Sequence, residues 1–264
     1  LALALGDLES ATRLAAQVRR EPGAGRQAAA HFSTTLQGAQ LNELRLYHAA
    51  RARALATGET AEAAEARLAR DFFCPARHIV ARHAPELGPR PGGGGVPRRI
   101  VQYWNTPQVP GEVAAQMRSW QAAEGFEHAL YDRRAALAFL RAEFGAAHLR
   151  AFRLANSPAE ESDFLRLCLL VRHGGIYADA DNALRGDAAA LIAEGPGLIL
   201  AREPWGALAN NVICAPPGHP ALLGALESAA RSLLTRENDG TWFKTGPGLS
   251  TRAVAVWLGQ AGPE

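Results

Sequence analysis

Apolar and polar positions change rhythm once along this chain. Through residues 1–83 the apolar positions recur at helical spacing among Ala, Arg and Glu, with almost none of the alternation a strand would show. Gly6-Asp7, Pro22-Gly23 and Gly58-Glu59 interrupt that rhythm and read as helix boundaries, which predicts three or four helices. Pro85, Pro89 and Pro91 with Gly92-Gly93-Gly94-Gly95 then predict a linker over 84–95. From 96 to 264 short strand-like runs alternate with helical ones: a strand over 99–104, a helix near 111–122, a strand near 127–131 and a helix near 133–144. Leu198-Ile199-Leu200-Ala201 and Asn211-Val212-Ile213-Cys214 read as further strands and 219–234 as a helix. Such alternation predicts an α/β domain with a mostly parallel sheet, preceded by a small all-α segment.

The richest chemistry lies between Ser157 and Asp181. Ser157 is a good N-cap, Pro158 suits the first helical position, and Glu160 completes a capping box. Leu165, Leu167, Cys168, Leu169, Leu170 and Val171 are apolar nearly all round, as expected of a helix packed on a sheet. Arg172 and His173 complement the dipole at its end, and Gly174 can stop it in a left-handed conformation. Asp163 and Arg166, at i and i+3, share a face. On the strand that follows, Tyr177, Asp179 and Asp181 point one way and Ile176, Ala178 and Ala180 the other. Two carboxylates at a strand end form a hard-oxygen site suited to Mn²⁺ or Mg²⁺. Each piece also has a plain reading. A bare Asp-x-Asp is common, Asp163 and Arg166 can be an ordinary surface ion pair, and Tyr177 a packing residue.

Taken in order, these residues resemble the signature of the DXD-motif sugar transferases, which include initiating α-mannosyltransferases, α-1,4-glycosyltransferases and bacterial capsular polysaccharide transferases. Val96-Pro97-Arg98-Arg99-Ile100-Val101-Gln102-Tyr103-Trp104 is similar to that family's first strand, with Val101 where the family usually has His. Ser119-Trp120 with Gly125-Phe126-Glu127-His128-Ala129-Leu130-Tyr131-Asp132 resembles its second-strand segment. Asn210-Asn211-Val212-Ile213-Cys214-Ala215, Pro217-Gly218-His219-Pro220 and Thr245-Gly246-Pro247 follow in the family's order.

That resemblance implies the nucleotide-diphosphosugar (GT-A) fold: a mostly parallel twisted sheet flanked by helices, here over 96–264. It implies a metal-dependent, retaining hexosyltransferase of polysaccharide biosynthesis, moving sugar from a nucleotide sugar to a glycan, lipid-linked or protein acceptor. UDP-sugars are favoured over GDP-mannose because more of the related bacterial enzymes use them. Asp179 and Asp181 would bind the Mn²⁺ or Mg²⁺ cofactor, Asp181 more directly. Asp163, Arg166 and Asp181 would form the catalytic set. Gln102, Tyr103, Trp104, Asp163, Arg166, Tyr177, Asp179, Ala180 and Asn211 would line the donor site, with Trp104 either stacking on the base or packing in the core. Asn210, His219 and the stretch Thr245-Gly246-Pro247-Gly248 with Lys244 can serve substrate or merely structure. No counterpart of the family's additional C-terminal metal ligand is visible.

Composition narrows the rest. With 48% hydrophobic and 20% charged residues the chain is a folding, soluble type, and a net charge of +2 gives no pull towards nucleic acid. Cys74, Cys168 and Cys214 lack metal spacing and read as reduced core thiols in a cytoplasmic protein, with room for peripheral association with the inner face of a bacterial membrane. No apolar run is long enough to span a membrane. The chain begins with Leu, so it reads as a piece of a longer protein and an upstream signal or anchor stays open. The helical segment is similar in spacing to tetratricopeptide hairpins without a demonstrable repeat, and a small helical cap is the simpler account. Two other functions compete. A phosphatase of the Asp-x-Asp type wants Thr or Val where Ala183 stands. A degenerate transferase acting as a scaffold would bind a protein partner through its helical segment.

Overall fold

The structure is a computed structural model that describes residues 2–20, 35–83, 95–193 and 197–260. Pro22-Gly23 and residues 84–94 of the expected linker lie outside the described residues. The first part folds into α1 (Ala2–Leu5), α2 (Leu8–Arg20), α3 (Leu36–Ala56), α4 (Ala61–Leu68) and α5 (Phe73–His83). That is five helices among the described residues where three or four were expected. Thr35 and Thr60 start α3 and α4 by accepting from Gly38 N at 3.1 Å and Ala63 N at 3.2 Å.

Beyond Gly95 the chain runs through β1 (Arg99–Tyr103), α6 (Gly111–Gln121), β2 (Glu127–Tyr131), α7 (Arg133–Glu143), α8 (Ala146–Arg153), α9 (Pro158–His173) and β3 (Gly175–Ala178). A 3₁₀ turn at Ala188–Ile192 leads to β4 (Ile199–Arg202), β5 (Leu208–Ala215), α10 (Pro220–Leu234), α11 (Thr241–Lys244) and α12 (Pro247–Gln260). The five strands lie in the order β2-β1-β3-β5-β4. β1 is parallel to β2 and β3, while β5 is antiparallel to β3 and β4, so the sheet is mixed with only β5 reversed. The mostly parallel α/β expectation holds. Three helices, α8, α11 and α12, were not expected; the last opens within Thr245-Gly246-Pro247-Gly248, which reads as a turn.

Alternation along the strands gives the sheet two apolar faces. Val101, Tyr103, Tyr177 and Ile213 pack on α7–α10 through Leu140, Phe152, Phe164 and Leu226. Ile100, Ile176, Ala178 and Cys214 pack on the other side with Trp120 of α6 and Ala188. The helical segment joins the same body: Ile79 and Val80 of α5 are buried with Val254, Ala255 and Leu258 of α12.

The join between α9 and β3 aims the site. Ser157 Oγ accepts from Glu160 N at 3.2 Å and Pro158 opens the helix, as expected. Glu160 differs from the expected capping box: its carboxylate takes the amide of Asn156 at 2.8 Å, one residue further back. Gly174 and Gly175 end the helix with φ of 65° and 105°. A Cβ on Gly175 would lie 2.5 Å from the Arg99 carbonyl oxygen, so only glycine lets β3 turn straight into register beside β1.

Candidate active site

Parallel β1, β2 and β3 end on one side of the sheet, where open α/β folds bind ligands. β3 stops at Ala178, so Asp179 and Asp181 stand on the turn just past it rather than on the strand itself. The turn is held from three directions. Asp179 N donates to Asn211 O at 2.8 Å and Gln102 Nε2 donates to Asp179 O at 3.3 Å. Trp120 Nε1 donates to Asn182 O at 2.7 Å, and Ser119 Oγ accepts from Leu184 N at 2.8 Å. The Ser119-Trp120 pair at the end of α6 thus clamps the chain immediately after Asp181.

Beneath the turn lies a buried ionic cluster. One Arg166 nitrogen, Nη2, is 2.8 Å from Asp179 Oδ1 and 3.1 Å from Asp163 Oδ1. The same guanidinium donates to Ser162 Oγ at 3.1 Å and, through Nη1, to the Asn210 carbonyl. Its carbon sits 4.5 Å from the Tyr177 ring centre, a cation–π contact. Tyr177 Oη in turn bonds Asp179 Oδ1 at 3.0 Å and Ser162 Oγ at 2.6 Å. Asp163 is held by Asn210 Nδ2 on Oδ1 and Thr245 Oγ1 on Oδ2, both at 2.9 Å. Burial alone would depress the Arg166 pKa, but Tyr177, Asp163 and Asp179 raise it above its ordinary value, so it stays charged. Burial pushes the Asp179 carboxyl up, against the pull of Arg166 and the Tyr177 hydrogen bond.

The expected site residues therefore sort into distinct places. Gln102, Asp163, Arg166, Tyr177 and Asp179 come together, and Asp181 stands next to them on the exposed side of the turn. Trp104 packs with Val113, Met117 and Ala180, its Nε1 donating to Gln108 O at 3.2 Å. Tyr103 turns inward, where its hydroxyl donates to Glu161 Oε2 at 2.7 Å and Arg133 completes the network. Asn211 is exposed and its Oδ1 accepts from Val212 N at 3.1 Å, while its neighbour Asn210 makes the inner contact. His219 caps α10 through Nδ1 and packs on Trp257, and burial holds its pKa down. Lys244 pairs with Glu160 at 2.6 Å, both side chains buried, and Thr245 meets Asp163. Thr245-Gly246-Pro247-Gly248 thus contributes from inside the fold rather than as a loop over phosphate. Sequence reasoning missed Ser162, which stands four residues before Arg166 on the same helix face, and also Glu161 with Arg133 and the inner role of Asn210, which no local spacing signals.

The donor set suits a hard divalent ion in part. Asp163 has both oxygens engaged by protein and is not a free ligand. Asp179 has Oδ1 occupied, and its side chain keeps 28% exposure. That leaves one Asp179 oxygen and the exposed Asp181 carboxylate to supply oxygen ligands, with water and a diphosphate filling the remainder, as Mg²⁺ and Mn²⁺ prefer. No group of three His, Cys, Asp or Glu side chains among the described residues would enclose a metal by itself. Three carboxylates against one guanidinium also leave the cluster anionic, which favours a cation at its surface.

Comparisons with known proteins meet this geometry. Residues 111–196 match the family model for the glycosyltransferase sugar-binding region containing DXD motif, from α6 past the Asp179-Ala180-Asp181 turn. No curated protein matches the chain. Among solved structures, PaToxG glycosyltransferase aligns over 72% of this chain and 78% of its own, at 16% identity and a TM-score of 0.48. The matched segment contains the α6 clamp, the Asp163–Arg166 pair and both carboxylates of the turn, and over it the chain is similar to the glycosyltransferases of the DXD family.

Proposed function

We propose that this chain is a metal-dependent, retaining hexosyltransferase that moves sugar from a nucleotide diphosphosugar, with UDP-sugars the first donors to test, to a glycan, lipid-linked or protein acceptor. The observation that carries the reading is the Asp163–Arg166–Asp179 cluster under a turn that presents Asp181 outward at the carboxyl end of β3. Asp179 and Asp181 are the residues that would hold Mn²⁺ or Mg²⁺. When bound, such an ion supplies Lewis-acid neutralisation of charge gathering on the leaving diphosphate.

The chain's own residues have separate tasks in this reading. Arg166 fixes the carboxylate of Asp179, and Gln102 fixes its backbone, so the turn needs little rearrangement when donor arrives. Trp104, half-buried beside Ala180, is the aromatic that would stack on the nucleoside. Asp163 keeps the cluster anionic and immobile rather than reaching a sugar hydroxyl itself, since its oxygens already have partners.

A calorimetric or thermal-shift screen of UDP- and GDP-sugars with and without Mn²⁺ tests the reading. At least one donor is expected to bind in a metal-dependent way and to be hydrolysed slowly, and Asp181→Asn is expected to weaken that binding by roughly tenfold or more. Absence of both binding and turnover for every donor would overturn the enzyme reading in favour of a scaffold. Unchanged binding in Asp181→Asn would overturn the assignment of the turn.

A further inference from the structure

We propose that Thr245, at the end of α11, is a positioning residue for sugar transfer, acting through Asp163 and Arg166 on the orientation of Asp179. The proposal rests on the glycosyltransferase reading above and adds a residue lying outside the segment that matches the family. The geometry is a relay of short buried contacts. Thr245 Oγ1 donates to Asp163 Oδ2 at 2.9 Å, Asp163 Oδ1 lies 3.1 Å from Arg166 Nη2, and that same nitrogen lies 2.8 Å from Asp179 Oδ1. Because one nitrogen serves both carboxylates, any rotation of Asp163 moves the group that orients Asp179. A carboxylate torsion is intrinsically soft. Asn210 restrains one oxygen of Asp163, and Thr245 restrains the other. Thr245 is 1% exposed, so water is poorly placed to replace its hydroxyl.

The position of Thr245 is itself determined by a second tie one turn away on α9. Lys244 Nζ meets Glu160 Oε1 at 2.6 Å, and Thr241 Oγ1 donates to the same oxygen at 3.1 Å. Glu160 and Asp163 are i and i+3 on α9, so adjacent residues of the C-terminal segment engage adjacent rungs of one helix face. Lys244 is the only Lys in a chain whose other basic residues are all Arg. A compact ammonium rather than a planar fork stands where both partners are buried. Two ties at this spacing set the register of α11 against α9 and hence the reach of the Thr245 hydroxyl.

Thr245→Val preserves shape and removes the hydroxyl; Thr245→Ser preserves the hydroxyl. Each is compared with wild type for thermal midpoint, Mn²⁺ titration, and kcat and KM in nucleotide-sugar hydrolysis. Thr245→Val is expected to lower kcat roughly 10- to 100-fold and to raise the Mn²⁺ needed for half-maximal rate, with donor KM changed less than threefold. Thr245→Ser is expected to restore kcat to within about threefold of wild type. If Thr245→Val does not fold, Thr245→Cys, close in size and a weak donor, carries the same expectation. Wild-type kcat and Mn²⁺ response in the Val or Cys variant would overturn the proposal. So would an equal loss in Thr245→Ser, or a loss matched wholly by unfolding at the assay temperature. Failure of the wild-type protein to hydrolyse any nucleotide sugar would instead strike the functional reading on which the proposal stands.

Discussion

Arg166 sits where three chain segments meet: its own helix, the turn after β3 and the start of β5. Its guanidinium reaches Asp163, Asp179, Ser162 and the Asn210 carbonyl while its face lies on Tyr177. A planar fork with several fixed donors can do this, and a point charge cannot. Arg166→Lys keeps the charge and loses the simultaneous reach. It is expected to cost about 1–3 kcal/mol in denaturant unfolding, from buried acceptors left without donors, and to reduce transfer by roughly 100-fold. A Lys variant with wild-type turnover would show that charge alone suffices. At this scale the sequence was informative where partners lie close along the chain. Asp163, Arg166, Tyr177 and Asp179 were all expected in the site. It was silent where they lie far apart: Asn210 and Thr245 bond Asp163 across separations of 47 and 82 residues. No periodicity carries such information. Tyr103 shows the converse limit, since alternation placed it at the strand end but could not reveal Glu161 waiting on α9.

Between elements, the transition from α9 to β3 decides whether the aspartates meet the rest of the site. Gly175 has φ of 105°, and its backbone passes so close to Arg99 that a side chain has no space. Gly175→Ala must therefore both strain the backbone and part β3 from β1, the pairing that includes Ile100 with Ile176 and Val101 with Tyr177. The expected loss is above about 2 kcal/mol and, on the proposed function, metal-dependent donor binding falls alongside because Asp179 and Asp181 leave register. Chemical denaturation and a Mn²⁺ titration on the same sample measure both. Most elements of this layer were legible because their rhythm is strong: β1, β2, α6, α7, α9 and α10 lie where hydrophobic spacing and caps put them. The misses have specific causes. In α12, Gly246, Pro247 and Gly248 read as turn residues, yet Pro is well tolerated in a first helical turn and Gly248 gives the Trp242 ring room to lie against the helix. In α8, Gly145 breaks a helical rhythm that simply resumes, with the glycine at the N-cap.

At the scale of the whole molecule, the helical segment and the α/β body share buried surface through α5 and α12, and Glu43 gives that junction a titratable point. The Glu43 carboxylate, on α3, accepts from Phe73 N at the start of α5. Burial pushes its pKa up to about 7, opposed by the Phe73 amide and by the charge of Arg252 on α12. Arg252 in turn donates to Asp71 O at 3.0 Å and Phe243 O at 2.6 Å, so it holds the chain before α5 against the C-terminal helices. A carboxyl whose folded pKa exceeds its unfolded value binds more protons in the native state. Its contribution is fully present below the unfolded value near 4.5 and is lost as pH rises through about 7, then stays flat. Wild-type protein should accordingly lose up to about 3 kcal/mol of stability from this group between those limits. Glu43→Gln retains an acceptor for Phe73 N without the ionisation, so wild type should lose stability relative to Glu43→Gln across the same window, whatever the buried histidines contribute to both. If α5 and α12 bind the two parts into one cooperative unit, the pH effect of this α3 residue should appear equally in tryptophan fluorescence, all five tryptophans lying beyond residue 96, and in overall helix content. Midpoints that separate between the two probes as pH rises would instead mark the helical segment as melting on its own, and would locate the unit that carries the site in residues 96–264 alone.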